Sequence, residues 1–246
     1  ITQGMVPGTD APVALIGIAE KGTLSLEITV RAAGGHASMP ERETPIDILG
    51  GAISKLKSHP FPARMHPALK ATVEHLGPEM SFLNKLAFAN ASFLEPFLVG
   101  AFQQTPSGNA QVRTTIAPTL FRSGVKGNVL PREAVAVVNF RILPGETVAS
   151  VTDRVKRTIA DERIRVSPRG FSNEPSGVSS AESFGYRTLT KTIREVFPGV
   201  IVAPNLLVGA TDSRHFRDLS DDIYRFRPIP MNRETVQSVH GVNERI

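Results

Sequence analysis

Residues 23–31 read TLSLEITVR, with Leu24, Leu26, Ile28 and Val30 on one side of the backbone and Ser25, Glu27 and Thr29 on the other. Strict alternation is the period of a strand with one face buried and one face wet. Toward the C-terminus, the loop AAGGHASMPERE ends at Thr44, which can cap a helix with Pro45 at its first position and Asp47 completing a capping box. Ile46, Leu49, Ile53 and Leu56 recur at helical spacing, which predicts an amphipathic helix over 45–58. Two further strands are expected at 112–121, VRTTIAPTLF, and at 133–142, EAVAVVNFRI. In the second, Ala134, Ala136, Val138, Phe140 and Ile142 share a face, and Asn139 and Arg141 point the other way. Thr147 can cap a second helix with the stripe Val148, Val151, Val155 and Ile159, and RIRVSPR at 163–169 reads as a last strand. Strand, helix, strand, strand, helix, strand is the split βαβ, ferredoxin-like order: an antiparallel sheet with two helices on one face, spanning residues 22–170.

A segment at 60–106 interrupts that pattern with an apolar, helical character. Five of the chain's 13 Phe, Phe82, Phe88, Phe93, Phe97 and Phe102, sit between residues 82 and 102. Two readings stand: a helical insertion packed on the sheet or on a partner subunit, or an apolar wall for a greasy substrate group. Residues 171–183, FSNEPSGVSSAES, form a Ser- and Gly-rich connector. Beyond it ESFGYRTLTKTIREVF is helical, VIVA is a short strand, GATDSRHFRDL is a turn entering a helix, and DIYRFRPI is another strand. The fold class is therefore α/β: an α+β unit at 22–170, with residues 1–21 before it and, after it, 171–246, whose helix and short buried strands suggest an α/β sheet.

Composition narrows the chemistry. The 246 residues include no Cys, which excludes a disulfide framework, a thiolate-bound metal and a Cys nucleophile; any metal must use His and carboxylates. The net charge of +5 comes from 28 Lys and Arg scattered among 23 Asp and Glu, without a basic block, so nucleic acid is not an expected partner. No apolar run is long enough to predict a membrane span.

His36 sits in GGHASMP, where two glycines let the backbone bend and small neighbours leave the ring accessible. It is a candidate for chemistry or a surface histidine. His240, in VHGVNERI with Glu244 four residues on, is a candidate metal ligand, but one His is not a metal site. Thr211, Asp212 and Arg214 in GATDSRHF fall at a turn where backbone N–H groups and an Arg can hold a carboxylate, or where an Asp–Arg pair merely caps a helix. Arg141, on the polar side of its strand, is available to an anion. His59, His66, His75 and His215 read as surface or structural.

Taken in order, GGHASMP, KGNVLP, NFRILPGET, TDSRHF, YRFRPIP and VHGVNERI resemble the aminoacylase and carboxypeptidase S superfamily of di-zinc hydrolases, and look nearest to its carboxypeptidase S and N-fatty-acyl-amino acid synthase/hydrolase members. The resemblance implies that the ferredoxin-like unit is a lid and dimerisation domain inserted in a zinc-peptidase catalytic domain. It implies that His36 reaches across a homodimer to polarise the scissile carbonyl in the partner's site. Asn128 and Arg141 are similar to the family's substrate-holding residues, the turn containing Gly209, Thr211 and Arg214 to its carboxylate-gripping loop, and His240 to its last zinc ligand. The implied substrates are N-acyl amino acids or short peptides with a free carboxylate, and the implied cofactor is a pair of zinc ions per subunit. The family's other ligands, an H-x-D pair and a Glu-Glu pair among them, are not in this sequence. The expectation is therefore a piece of a longer enzyme that cannot hold the zinc pair or turn over alone. A non-catalytic dimerisation module is the alternative.

Overall fold

The computed structural model describes residues 1–4, 6 and 9–232. In chain order the elements are β1 (Val13–Glu20), β2 (Gly22–Arg31), β3 (Gly35–His36), α1 (Pro45–Ser58), α2 (Pro67–Leu76), α3 (Phe82–Ala89), α4 (Ala91–Phe102), α5 (Pro106–Val112), β4 (Thr115–Ser123), β5 (Val129–Leu130), β6 (Glu133–Ile142), α6 (Val148–Ile159), β7 (Ile164–Pro168), α7 (Phe184–Val196) and β8 (Ile201–Leu207). They divide into two compact units. One comprises Lys21–Ala63 and Arg113–Pro175; the other comprises Ile1–Glu20, Arg64–Val112 and the described residues from Ser176 on.

The first unit is the ferredoxin-like sheet, in the order β4-β6-β2-β7 with antiparallel pairing throughout. Leu24, Leu26, Ile28 and Val30 of β2 and Ala134, Ala136, Val138, Phe140 and Ile142 of β6 are all fully buried on one face. Against them pack Leu49, Ala52 and Leu56 of α1 and Val151, Val155 and Ile159 of α6. Phe61 meets Phe140 edge to face with ring centroids 6.2 Å apart. Both helices begin on reciprocal caps. The Thr44 hydroxyl accepts from the Asp47 N–H while the Asp47 carboxylate accepts from the Thr44 N–H, and Thr147 and Ser150 do the same for α6. Ile46, assigned to the buried stripe of α1, is instead exposed, and Ile48 and Ala52 take its place because the apolar arc centres on Leu49.

The second unit is built on a parallel pair, β1 with β8, running from Val13↔Ile201 to Glu20↔Leu207. VALIGIAE is buried at nearly every position, so β1 shows no alternation, and parallel strands covered on both faces read this way. The helical segment expected as an insertion at 60–106 belongs to this unit from Arg64 on, not to the ferredoxin-like sheet. The reason is apolar cover: α2 buries Ala68, Leu69, Val73 and Leu76, and Leu76 clusters with Val13 and Ala203 of the two strands. Three local expectations change here. VIVA extends into a strand reaching Leu207, GATDSRHFRDL contains only a 3₁₀ turn at Asp212–Phe216, and DIYRFRPI contributes an isolated bridge between Arg225 and Gly17 rather than a strand.

Candidate functional site

His36 lies in the ferredoxin-like unit on the two-residue strand β3, which pairs with β5 as Gly35↔Leu130 and His36↔Val129. The ribbon continues β2 and β6 past their last pair, Arg31↔Glu133, through the Ala32 N–H to the Arg132 carbonyl at 2.9 Å. Gly34 makes this turn possible. Its φ is +74°, and a Cβ there would sit 2.8 Å from Arg132 Cγ and 3.1 Å from the Leu130 carbonyl. The Ala37 N–H donates to the Asn128 carbonyl at 3.1 Å, so Asn128 stands beside His36 although the sequence separates them widely. Both residues are exposed. The Ser38 N–H donates to His36 Nδ1 at 3.2 Å, and the Ser38 hydroxyl lies 2.8 Å from the same nitrogen. An Nδ1 that accepts leaves the proton of the neutral ring on Nε2, where it can serve as a hydrogen-bond donor.

Arg141 is not with them. It is half-buried on β6, paired with Thr23 and Thr115, eight residue steps beyond Glu133. At the usual rise of a strand, that puts it on the order of 25 Å from the end of the ladder that carries His36 and Asn128. Its neighbour is the fully buried Lys21, whose Nζ donates to the Arg113 carbonyl at 2.7 Å. Burial pushes the Lys21 ammonium down to about 7; the Glu146 carboxylate opposes the fall and Arg141 adds to it. Because the folded value lies below the ordinary 10.5, the unfolded chain binds more protons between about pH 7 and 10.5. Stability attributable to Lys21 therefore rises with pH across that window. Urea unfolding from pH 7 to 10 should show this rise in the wild-type chain relative to Lys21→Met; parallel profiles would refute it.

The other site residues lie in the second unit, at the carboxyl ends of β1 and β8, where open parallel sheets bind ligands. Past β8 the chain turns through Gly209, with open space where a Cβ would stand, into Thr211. The Thr211 N–H donates to Glu20 Oε1 at 2.8 Å and its hydroxyl to Oε2 at 2.6 Å. The Ser213 hydroxyl donates to the same Oε2 at 3.0 Å, and Arg225 Nε reaches it at 3.1 Å. Glu20 and Arg225 side chains are only 3% and 8% exposed. Burial pushes the Arg225 guanidinium down, and Glu20 counters this. The carboxylate that Thr211 and Ser213 hold is therefore the chain's own, that of Glu20. Arg214 braces the same turn, donating from Nη1 to the Thr211 carbonyl at 2.9 Å, with Nη2 3.5 Å from Asp212. Sequence reading missed Glu20, because its partners lie far along the chain and no local motif marks it.

His240, the candidate zinc ligand, lies outside the described residues. Among the described residues no three His, Asp or Glu side chains converge as a metal site would require. By themselves these residues do not fit a zinc pair, and its ligands would have to come from outside them. Also among the described residues, no helix is long and apolar enough to cross a membrane.

Comparison with known proteins agrees with this architecture. The chain is 43% identical over 248 residues to the N-fatty-acyl-amino acid synthase/hydrolase of Xenopus tropicalis, covering 100% of this chain and 48% of that protein. It is 38% identical over 240 residues to a carboxypeptidase S-like protein of Dictyostelium discoideum, covering 98% of this chain and 46% of that protein. The chain therefore spans about half the length of the curated relatives it matches. Among solved structures, an M20 family metallo-carboxypeptidase from Sulfolobus solfataricus shares the fold with a TM-score of 0.58 at 17% identity, over 86% of this chain and 59% of that one. Residues 18–166, which take in β2, β4 and β6 whole, the helices α1 and α6 and three of the five residues of β7, match the peptidase dimerisation domain, and the chain belongs to that family of the M20 peptidases.

Proposed function

We propose that this chain is the dimerisation lid and part of the catalytic unit of a zinc-dependent hydrolase that cleaves the amide bond of N-acyl amino acids or short peptides bearing a free carboxylate. The observation that carries the reading is the placement of His36. It is an exposed imidazole on a glycine-turned ribbon, held through Nδ1 by Ser38, which leaves the proton of the neutral ring on Nε2. Such a donor is suited to a carbonyl oxygen that gains negative charge as water adds to the amide. Asn128, beside it, offers a second side-chain donor to the same substrate. At the far end of the same sheet, Arg141 offers a cation to a carboxylate. A separation on the order of 25 Å along β6 is too large for His36 and Arg141 of one subunit to hold one small substrate. Completion of each site by the lid of a second copy accounts for this, and a homodimer follows.

The acyl group has a candidate wall of its own. Phe82 and Leu86 on α3 and Phe93 and Phe97 on α4 are each spaced by one helical turn and are 54–86% exposed. A long acyl chain would cover such surface at a gain of about 0.8 kcal/mol per buried methylene. The test is hydrolysis by the complete polypeptide, loaded with zinc, of a series of N-acyl amino acids from acetyl to long-chain, each with its carboxamide counterpart. The reading expects turnover that needs the free carboxylate and improves with acyl length. No hydrolysis of any member would leave the chain a dimerisation module, and a preference for acetyl would remove the acyl wall.

A further inference from the structure

The carboxylate of Glu20 is almost fully enclosed, yet it belongs to no metal cluster among the described residues and has no place in the chemistry above. It closes β1, whose last pair is Glu20↔Leu207, and it spends both oxygens on the turn that follows β8. The backbone at Glu20 is fixed as well. Its N–H donates to the Ser176 hydroxyl at 2.8 Å, and its carbonyl accepts from the Ser176 N–H at 3.0 Å. Arg225 is clamped in turn. Its backbone exchanges two hydrogen bonds with Gly17, at 2.8 and 3.0 Å, and its Nη1 donates to the Ile223 carbonyl at 3.0 Å. A carboxylate satisfied by one backbone N–H, two hydroxyls and a guanidinium has a single geometry, and so does the turn it holds.

We propose that Glu20 is the positioning residue of the 209–214 turn. Its buried carboxylate occupies the donors of Thr211 and Ser213 and thereby sets the turn's shape, so that discrimination for a substrate carboxylate depends on a residue that never touches substrate. This rests on the role that the family resemblance implies for that turn, gripping the substrate carboxylate. A glutamine at this position keeps the size of the side chain but turns one acceptor into an NH2 donor, which faces N–H and O–H donors already there.

Two measurements separate the parts. In the 246-residue chain, Glu20→Gln should speed amide exchange at Thr211 and Ser213 at least tenfold while the amides of β2 and β6, in the other unit, keep their protection. In the complete enzyme, the same substitution should raise KM for the carboxylate substrate by about tenfold, equivalent to ~1.4 kcal/mol, leaving kcat and the carboxamide substrate nearly unchanged. Should Glu20→Gln unfold the chain, Ser213→Ala decides instead. It removes one donor, and the same selective rise in KM is expected at about threefold, with local loosening of Thr211. Unchanged exchange at Thr211, or a KM that rises equally for both substrates, would overturn the proposal. If the wild-type enzyme does not distinguish carboxylate from carboxamide, the carboxylate-gripping reading of the turn fails, and the exchange result still decides whether Glu20 holds it.

Discussion

Replacing His36 by Ala should lower kcat of the complete enzyme by about 10²- to 10³-fold, the usual cost of removing one donor to a developing oxyanion. Zinc content and unfolding midpoint should stay as in the wild type. The structural grounds are that His36 is exposed, sits on a strand of two residues and, among the described residues, bonds through its ring to Ser38. Its removal therefore leaves the Gly35↔Leu130 pair and the whole four-stranded core intact. Kinetics and metal analysis on the same preparation check this. Loss of metal would make His36 a ligand rather than a donor, and kcat within tenfold of wild type would take the carbonyl-polarising role away. A further arm addresses the partner subunit. If His36 serves the other copy's site, a mixed dimer of His36→Ala with a subunit disabled elsewhere in its own site should recover activity that neither parent has.

How much of this was readable beforehand differs by element, for physical reasons. TLSLEITVR and EAVAVVNFRI each bury one face and wet the other, and the alternation that defines such strands is in the sequence; β2 and β6 pair through all of it. VALIGIAE escapes the same test because both of its faces are covered, and a continuous apolar run carries no period. Placement of the 64–112 helices also escapes it. An amphipathic helix announces that it has an apolar stripe without saying which sheet receives it, and here Leu76 goes to Val13 and Ala203. At the site, His36, Asn128, Arg141 and Thr211 were visible as residue types in recognisable strings. The adjacency of His36 and Asn128 was not, since two-residue strands fall below any pattern, and neither was the distance of Arg141 from both. Glu20 is the extreme case: every partner of its carboxylate lies at Thr211 or beyond.

That carboxylate also gives rise to the largest stability effect expected in the second unit. Arg225→Met should destabilise it by about 3–5 kcal/mol, the cost of leaving a buried charge without its partner. The ion pair itself need not be a large net contributor, because drawing both groups out of water offsets much of their attraction. What makes the single substitution costly is that Glu20 stays behind, 3% exposed, with the Thr211 N–H and two hydroxyls but no cation among the described residues. The argument predicts a specific non-additivity. Glu20→Gln alone should cost a similar amount by stranding Arg225, whereas the double variant Glu20→Gln/Arg225→Met, with no charge left to bury, should cost clearly less than the sum of the two, with a coupling of about 1–3 kcal/mol. Urea unfolding of the four chains, read by amide exchange in β1 and β8, measures the cycle. Additive effects, or single-variant costs below about 1 kcal/mol as for a solvent-exposed pair, would show that the Glu20–Arg225 contact does not hold the turn in place.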